Sequence, residues 1–339
     1  METMRLGRTN LRVTRTAFGV LPLQRVELDE ATAILRRAQQ AGITFYDTAR
    51  AYTDSETKIG HALADVRDRI ILATKTHAAD RAGVAEHLAT SLANLQTDHV
   101  DLLQLHNPRR LPDPDDATST YAGLLEAREA GKVRFIGITA HALDNALAAA
   151  RSGLYDTVQF PVSPLSTDAE LELVKVCREA DVGLIAMKAL CGGLFSDART
   201  AFAFFRQFDN VVPIWGIQRM SELEEFLALD AAPPAFDDDA AAAIARYREE
   251  LGGDFCRGCG YCLPCPADIP IPLAARMAFL LRRAVWQTFV TPEWQAKMAR
   301  IDDCIDCGQC AERCPYDLDT PALLKSMLAD YRQFVAEHA

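Results

Sequence analysis

The sequence predicts an α/β protein: a (β/α)8 barrel followed by a small, mostly α-helical, cysteine-rich domain. Three observations carry this expectation. Between residue 13 and about 229, short β-rich apolar runs alternate with stretches whose apolar residues fall at helical spacing. Eight such units fit a closed parallel barrel better than an open doubly wound sheet. After them, eight of the ten cysteines fall into two tight groups.

The expected barrel strands are "RTAFGV", "ITFYDTA", "RIILATKT", "HVDLLQLH", "VRFIGIT", "DTVQFPV", "VGLIAMKAL" and "VVPIWGI". Amphipathic stretches such as "DEATAILRRAQQAG", "VAEHLATSLANLQ", "YAGLLEAREAGK" and "DAELELVKVCREA" lie between them and read as helices. "AFGVLPLQ" follows the first strand and lacks the G-x-G-x-x-G turn that a dinucleotide-binding open sheet requires. The pattern stops at "LDAAPPAFDDDAA", whose paired prolines and acidic run mark a linker. The expected division is therefore residues 1–230 for the barrel, 231–253 for a linker and helix, and 254–339 for the cysteine-rich domain. Beyond the barrel, 237–253, 273–290 and 320–338 read as helices, with Trp286 and Phe289 as packing residues.

Composition excludes several functions. A net charge of -11 disfavours a nucleic-acid partner, which would favour a basic face to neutralise phosphates. No N-terminal apolar export segment and no run of 18 or more apolar residues appears, so a cytoplasmic protein without a membrane is expected. Cysteines in a reducing compartment are more apt to bind metal than to pair as disulfides. Cys177 and Cys191 lie outside the groups and read as small buried fillers, Cys191 near the substrate pocket together with the loop "NPRRLPDPDDATST".

The second group, Cys304, Cys307, Cys310 and Cys314, has the spacing C-x2-C-x2-C-x3-C-P. That spacing is the bacterial ferredoxin signature, in which the fourth cysteine serves the other cluster. The first group, Cys256, Cys259, Cys262 and Cys265, has one residue fewer in its last step. Two [4Fe-4S] clusters follow, with Cys256, Cys259, Cys262 and Cys314 expected on one and Cys304, Cys307, Cys310 and Cys265 on the other. Zinc competes, but its sites usually use two separated pairs of ligands. Such clusters pass electrons, or brace a small fold.

Barrel active sites form where strands end. Asp47, Lys75 and His106 stand at the ends of the second, third and fourth strands, with Tyr52 just after the second. This set suits proton delivery to a carbonyl oxygen. Tyr52 would donate the proton, Lys75 held by Asp47 would ease its loss, and His106 would orient the oxygen.

The segments "MRLGRTNLRVTRTAFGVLPLQ", "GITFYDTARAYTDSETKIGHAL", "TKTH", "VDLLQLHN" and "LEAREAGKVRFIGIT" resemble the aldo/keto reductases over residues 4–229. The likeness extends to a branch with a C-terminal ferredoxin-like domain. It implies a catalytic tetrad of Asp47, Tyr52, Lys75 and His106, with Tyr52 as general acid and NADPH as hydride source. For the cofactor it points to Thr139, Gln159, Met187, Lys188, Gly216 and Arg219. Thr139 and Ala140 stand where Ser-Asn is usual, Met187 where an aromatic ring is frequent, and Glu225 and Phe226 where Glu-Asn is typical.

Three functions follow. One is a reductase of a small aldehyde or ketone using NADPH. Another is a reductase fed single electrons through the clusters by a ferredoxin or another electron-transfer protein. The third is an electron-carrier subunit whose barrel only docks a larger complex.

Overall fold

The computed structural model describes residues 1–193, 195–251, 255–283 and 285–338, without the side chains of Leu251 and Arg283. The chain begins with an antiparallel hairpin, β1 (Thr3–Arg5) and β2 (Arg12–Thr14). Eight strands then close a parallel barrel: β3 (Ala17–Gly19), β4 (Phe45–Asp47), β5 (Ile71–Thr76), β6 (Val100–His106), β7 (Val133–Thr139), β8 (Thr157–Pro161), β9 (Gly183–Met187) and β10 (Val211–Gly216). Each expected apolar run contains one of them.

Outside the sheet lie α1 (Leu28–Gln40), α2 (Ser55–Leu63), α3 (Arg81–Leu95), α4 (Thr120–Glu129), α5 (Leu143–Ser152), α6 (Asp168–Glu179), α7 (Ala198–Arg206) and α8 (Met220–Ala231). Side chains alternate across each strand. Phe18, Tyr46, Leu72, Leu103 and Trp215 join the core beneath the helices, with Ile34, Leu88, Leu124 and Leu173. Their strand neighbours Ala17, Phe45, Ala73, Leu102 and Ile214 form a second core inside the barrel. Burying one large apolar side chain stabilises by roughly 1.5–3 kcal/mol.

The hairpin was not foreseen. Its strands are three residues each and mostly polar in sequence. Met4, Leu6, Leu11 and Val13 nevertheless pack into the inner core. Gly7, with φ 49°, allows the close approach: a Cβ there would stand 2.1 Å from the Gly183 nitrogen.

α9 (Asp238–Leu251) follows the proline-containing connection, and Gly252 and Gly253 of the expected 237–253 helix lie outside the described residues. The C-terminal region then holds α10 (Ile271–Ala274), α11 (Met277–Arg283), α12 (Pro292–Ala299), α13 (Gln309–Glu312) and α14 (Thr320–His338). The single helix expected over 273–290 is instead two, followed by a 3-10 turn at Trp286–Phe289; Ala284 lies outside the described residues. At the break, the Arg276 N–H donates to Leu273 O in a tighter turn, and the Arg276 side chain bonds back to Pro272 O at 2.7 Å. Apolar spacing is continuous across that break, so periodicity could not reveal it. Trp286 does pack, against Phe334 and His338 of α14, and Phe289 meets Trp294 of α12.

Candidate active site at the barrel mouth

Period-two alternation places Asp47, Lys75 and Gln104 inside the barrel, one step beyond Phe45, Ala73 and Leu102 of the inner core. Lys75 Nζ donates to Asp47 Oδ1 at 2.5 Å and to Thr48 O at 2.7 Å, with both side chains almost fully buried. Gln104 and Gln159 hold the same carboxylate, donating to Oδ2 at 3.2 Å and Oδ1 at 3.4 Å. Gln104 escaped the sequence reading, although a polar residue two positions before His106 on an apolar strand must share its face.

Tyr52 sits in the turn leading to α2, where its N–H donates to Ala49 O and its carbonyl accepts from Ser55 N. Lys75 Nζ lies 5.1 Å from the Tyr52 ring centroid, and the His106 ring meets Tyr52 edge-on at 5.7 Å. The structure thus brings all four residues together.

Burial raises the Tyr52 pKa, and the Lys75 charge and hydrogen bond offset this only in part. The phenol is therefore protonated at ordinary pH. Burial works to lower Lys75, but Asp47 and Tyr52 together outweigh it, and its pKa is raised, so the ammonium persists. Asp47 is raised by burial against the pull of Lys75. His106 is pushed down to about 3, by burial first and then by Lys75 and His77, so it is neutral at ordinary pH.

A model of the aldo/keto reductase family matches residues 14–210. The chain belongs to this family. A second model, the 4Fe-4S dicluster domain, matches residues 255–319. An uncharacterised oxidoreductase of Bacillus subtilis is 34% identical, covering 57% of this chain and 68% of that one. L-galactose dehydrogenase of Arabidopsis thaliana is 31% identical, with 58% and 68% covered. Among solved structures, an aldo-keto reductase from Bacillus halodurans in a holo form superposes with a TM-score of 0.63 at 21% identity, covering 73% of this chain and 96% of that one. That likeness speaks for the fold. The chain is therefore an oxidoreductase of the aldo/keto reductase family that carries an iron-sulfur domain.

Family resemblance pointed to six cofactor positions, of which Thr139 and Gln159 are register partners on β7 and β8. Gln159 keeps an unpartnered buried acceptor, Oε1, at the barrel mouth. Thr139 is buried and its hydroxyl accepts from the Asn107 N–H at 2.8 Å. Met187 packs partly buried against the inner core. Lys188 Nζ donates to Arg257 O at 3.2 Å and lies 3.3 Å from His141 Nδ1. Gly216 ends β10, where an added Cβ would meet Pro22 at 3.2 Å. Arg219 is exposed at the start of α8. There the Gln218 and Arg219 N–H groups both donate to Glu222 Oε2, at 2.7 and 3.2 Å. Phe226 is buried and stacks on Trp215 at 4.6 Å.

The iron-sulfur region docks on the loops that follow β7, β8 and β9. Its anchor is Arg257, between two cysteines of the first group. The guanidinium donates to Leu165 O at 3.1 Å, stacks on Tyr316 at 4.1 Å and lies 3.8 Å from Glu170. Tyr316 also donates to Glu170, at 3.0 Å. Glu170 completes the capping box of α6 with Thr167, so one carboxylate starts a barrel helix and receives the second region. Tyr261 donates to Asp144 at 2.8 Å, and Phe279 covers Gly192.

Cys256, Cys259, Cys262 and Cys314 line one cavity with Ile271, Leu318 and Leu323. Cys265, Cys304, Cys307 and Cys310 line a neighbouring cavity, which Cys262 also touches. Cys177 and Cys191 are fully buried in the barrel core, where burial pushes their thiols up to about 12 and about 11. Arg257, Glu170 and Arg276 gave no signal in the sequence, because each acts through residues distant along the chain.

Proposed function

We propose that this chain reduces the carbonyl group of a small aldehyde or ketone, with Tyr52 giving the proton to the carbonyl oxygen. The observation that carries this is the protonated, buried Tyr52 phenol beside a Lys75 ammonium fixed by Asp47. As negative charge grows on the substrate oxygen, Tyr52 transfers its proton, and Lys75 stabilises the phenolate left behind. Neutral His106 orients the oxygen through a ring N–H. Overall, two electrons and two protons convert carbonyl to alcohol; Tyr52 supplies the oxygen's proton.

Two sources of electrons compete. For NADPH, Gln159 Oε1 is a free acceptor that suits a carboxamide N–H. The phosphate end does not fit: Glu222 takes the Gln218 and Arg219 N–H groups just before α8, Lys188 is committed to Arg257 O, and Phe226 fills the core. The cysteines fit two [4Fe-4S] clusters, since each cavity holds one expected set: Cys256, Cys259, Cys262 and Cys314, and Cys304, Cys307, Cys310 and Cys265. Bound there, they would supply electrons singly, with a ferredoxin or similar protein as donor. The division into barrel (1–230), connection (231–253) and iron-sulfur domain (254–339) belongs to this reading, supported by α8 ending at Ala231 and the dicluster match beginning at 255. So does a cytoplasmic location, favoured by the thiol content; among the described residues no helix is long and apolar enough to cross a membrane.

The test uses anaerobic protein with its iron bound. Calorimetry with NADPH up to millimolar concentration is expected to show no binding. Prereduced protein mixed in stopped flow with a panel of aldehydes and ketones is expected to bleach back with at least one. NADPH binding with hydride transfer would restore the nicotinamide reading. Absence of both reactions would leave the chain an electron carrier.

A further inference from the structure

Arg276 and Lys188 converge beside the first cysteine group. Both line one cavity with Cys256 and Phe279. The Arg276 guanidinium lies against the Gly258 backbone, where φ is 75° and an added Cβ would stand 2.8 Å from its Cζ. Its Nε donates to Pro272 O, and Lys188 Nζ to Arg257 O, both uncharged acceptors. Among the described residues neither forms an ion pair with a carboxylate, whereas the adjacent Arg257 has Glu170. Cys256 lines the same cavity, and Gly258, which the guanidinium touches, lies between Cys256 and Cys259 in the ligand loop. A half-buried guanidinium without a carboxylate partner is costly, and negative charge on that loop would offset it. The second group is differently placed. Cys307 is exposed, and the nearby cation, Lys325, is paired with Asp306 at 3.2 Å.

We infer that Arg276 selectively raises the reduction potential of the cluster held by Cys256, Cys259, Cys262 and Cys314. This rests on the two-cluster reading above. A thiolate-ligated cluster gains negative charge on reduction, so a fixed neighbouring cation stabilises the reduced form more than the oxidised one. Burial away from water opposes this, and an uncompensated guanidinium against the ligand loop outweighs it. The barrel-side cluster then becomes the preferred resting place for an electron, next to the loops that frame the tetrad.

The experiment is a redox titration followed by electron paramagnetic resonance on the full, iron-loaded chain. Arg276→Leu is expected to move one midpoint to more negative potential by at least tenfold in the reduced-to-oxidised ratio, about 59 mV for one electron, leaving the other unmoved. Arg276→Lys should retain most of the wild-type value, and Arg276→Gln should shift the same midpoint as Arg276→Leu. Fully loaded variants whose midpoints stay in place, or move equally, overturn the inference alone. Should Arg276→Leu fail to take up iron, Arg276→Gln decides it. A wild-type protein that binds no iron sinks the cluster reading, and the inference with it.

Discussion

In the barrel, side chains alone close the interior: Phe45, Ala73, Leu102 and Ile214 fill the inside, and the helices bury the outer face. In the C-terminal region, a small apolar cluster that includes Ile271, Met277, Leu281, Leu324 and Leu328 has Cys256, Cys262, Cys304 and Cys310 only partly buried against it. One region is held by packing; the other is arranged around cavities lined with thiols. The difference teaches that these regions depend on iron unequally, even though Arg257 and Glu170 join them.

Removing iron should give the largest effect. A chelator under anaerobic conditions is expected to expose residues 255–338 to proteolysis and hydrogen exchange while barrel helicity persists, because metal binding and local folding are linked. A single transition common to both regions, with or without iron, would break the comparison. Next comes Tyr52→Phe, expected to cut carbonyl turnover by about 10²–10⁴-fold while leaving the visible spectrum of the iron-sulfur region unchanged. Equal loss of colour would place the defect outside the barrel chemistry.

Arg257→Met tests the joint itself. It removes the charge facing Glu170 and the bond to Leu165 O, while Glu170 keeps its bonds from Thr167 and Tyr316, and denaturant unfolding should lose about 1–3 kcal/mol. Adding Glu170→Gln should recover part of that, a coupling that independent regions would not show. The smallest effect is acid sensitivity within the barrel. Because His106 is held at about 3 in the folded chain against 6.5 for a free imidazole, the unfolded chain binds the extra proton first. Stability from this group is full above about 6.5 and falls as pH drops toward 3. His106→Asn should flatten that part of the melting-temperature profile; an unchanged profile would mean that other groups govern it.

The barrel was largely legible because each strand is a local apolar run, and its tetrad because strand ends gather in this fold. The hairpin at Thr3–Thr14 was not, since its burial comes from packing on strands far along the chain. The break before Met277 was hidden by continuous apolar spacing, and it matters because it directs Arg276 toward Gly258. Lys188 read as a cofactor contact from its neighbours in sequence, while the Arg257 carbonyl that holds it is 69 residues away. Motif spacing displays ligands well and displays poorly the residues that tune or anchor them.

The exposure of Cys307 has a consequence for how the protein ages in air. Barrel loops shield the Cys256 side through Arg257, Tyr261 and Phe279, whereas the Cys307 side meets water directly. Oxygen and peroxide therefore reach the Cys307 end first. Oxidative damage is expected to reach the thiols around Cys307 before those around Cys256, so a sample partly spoiled by air would lose iron first from its exposed edge while the Tyr52 site stays intact.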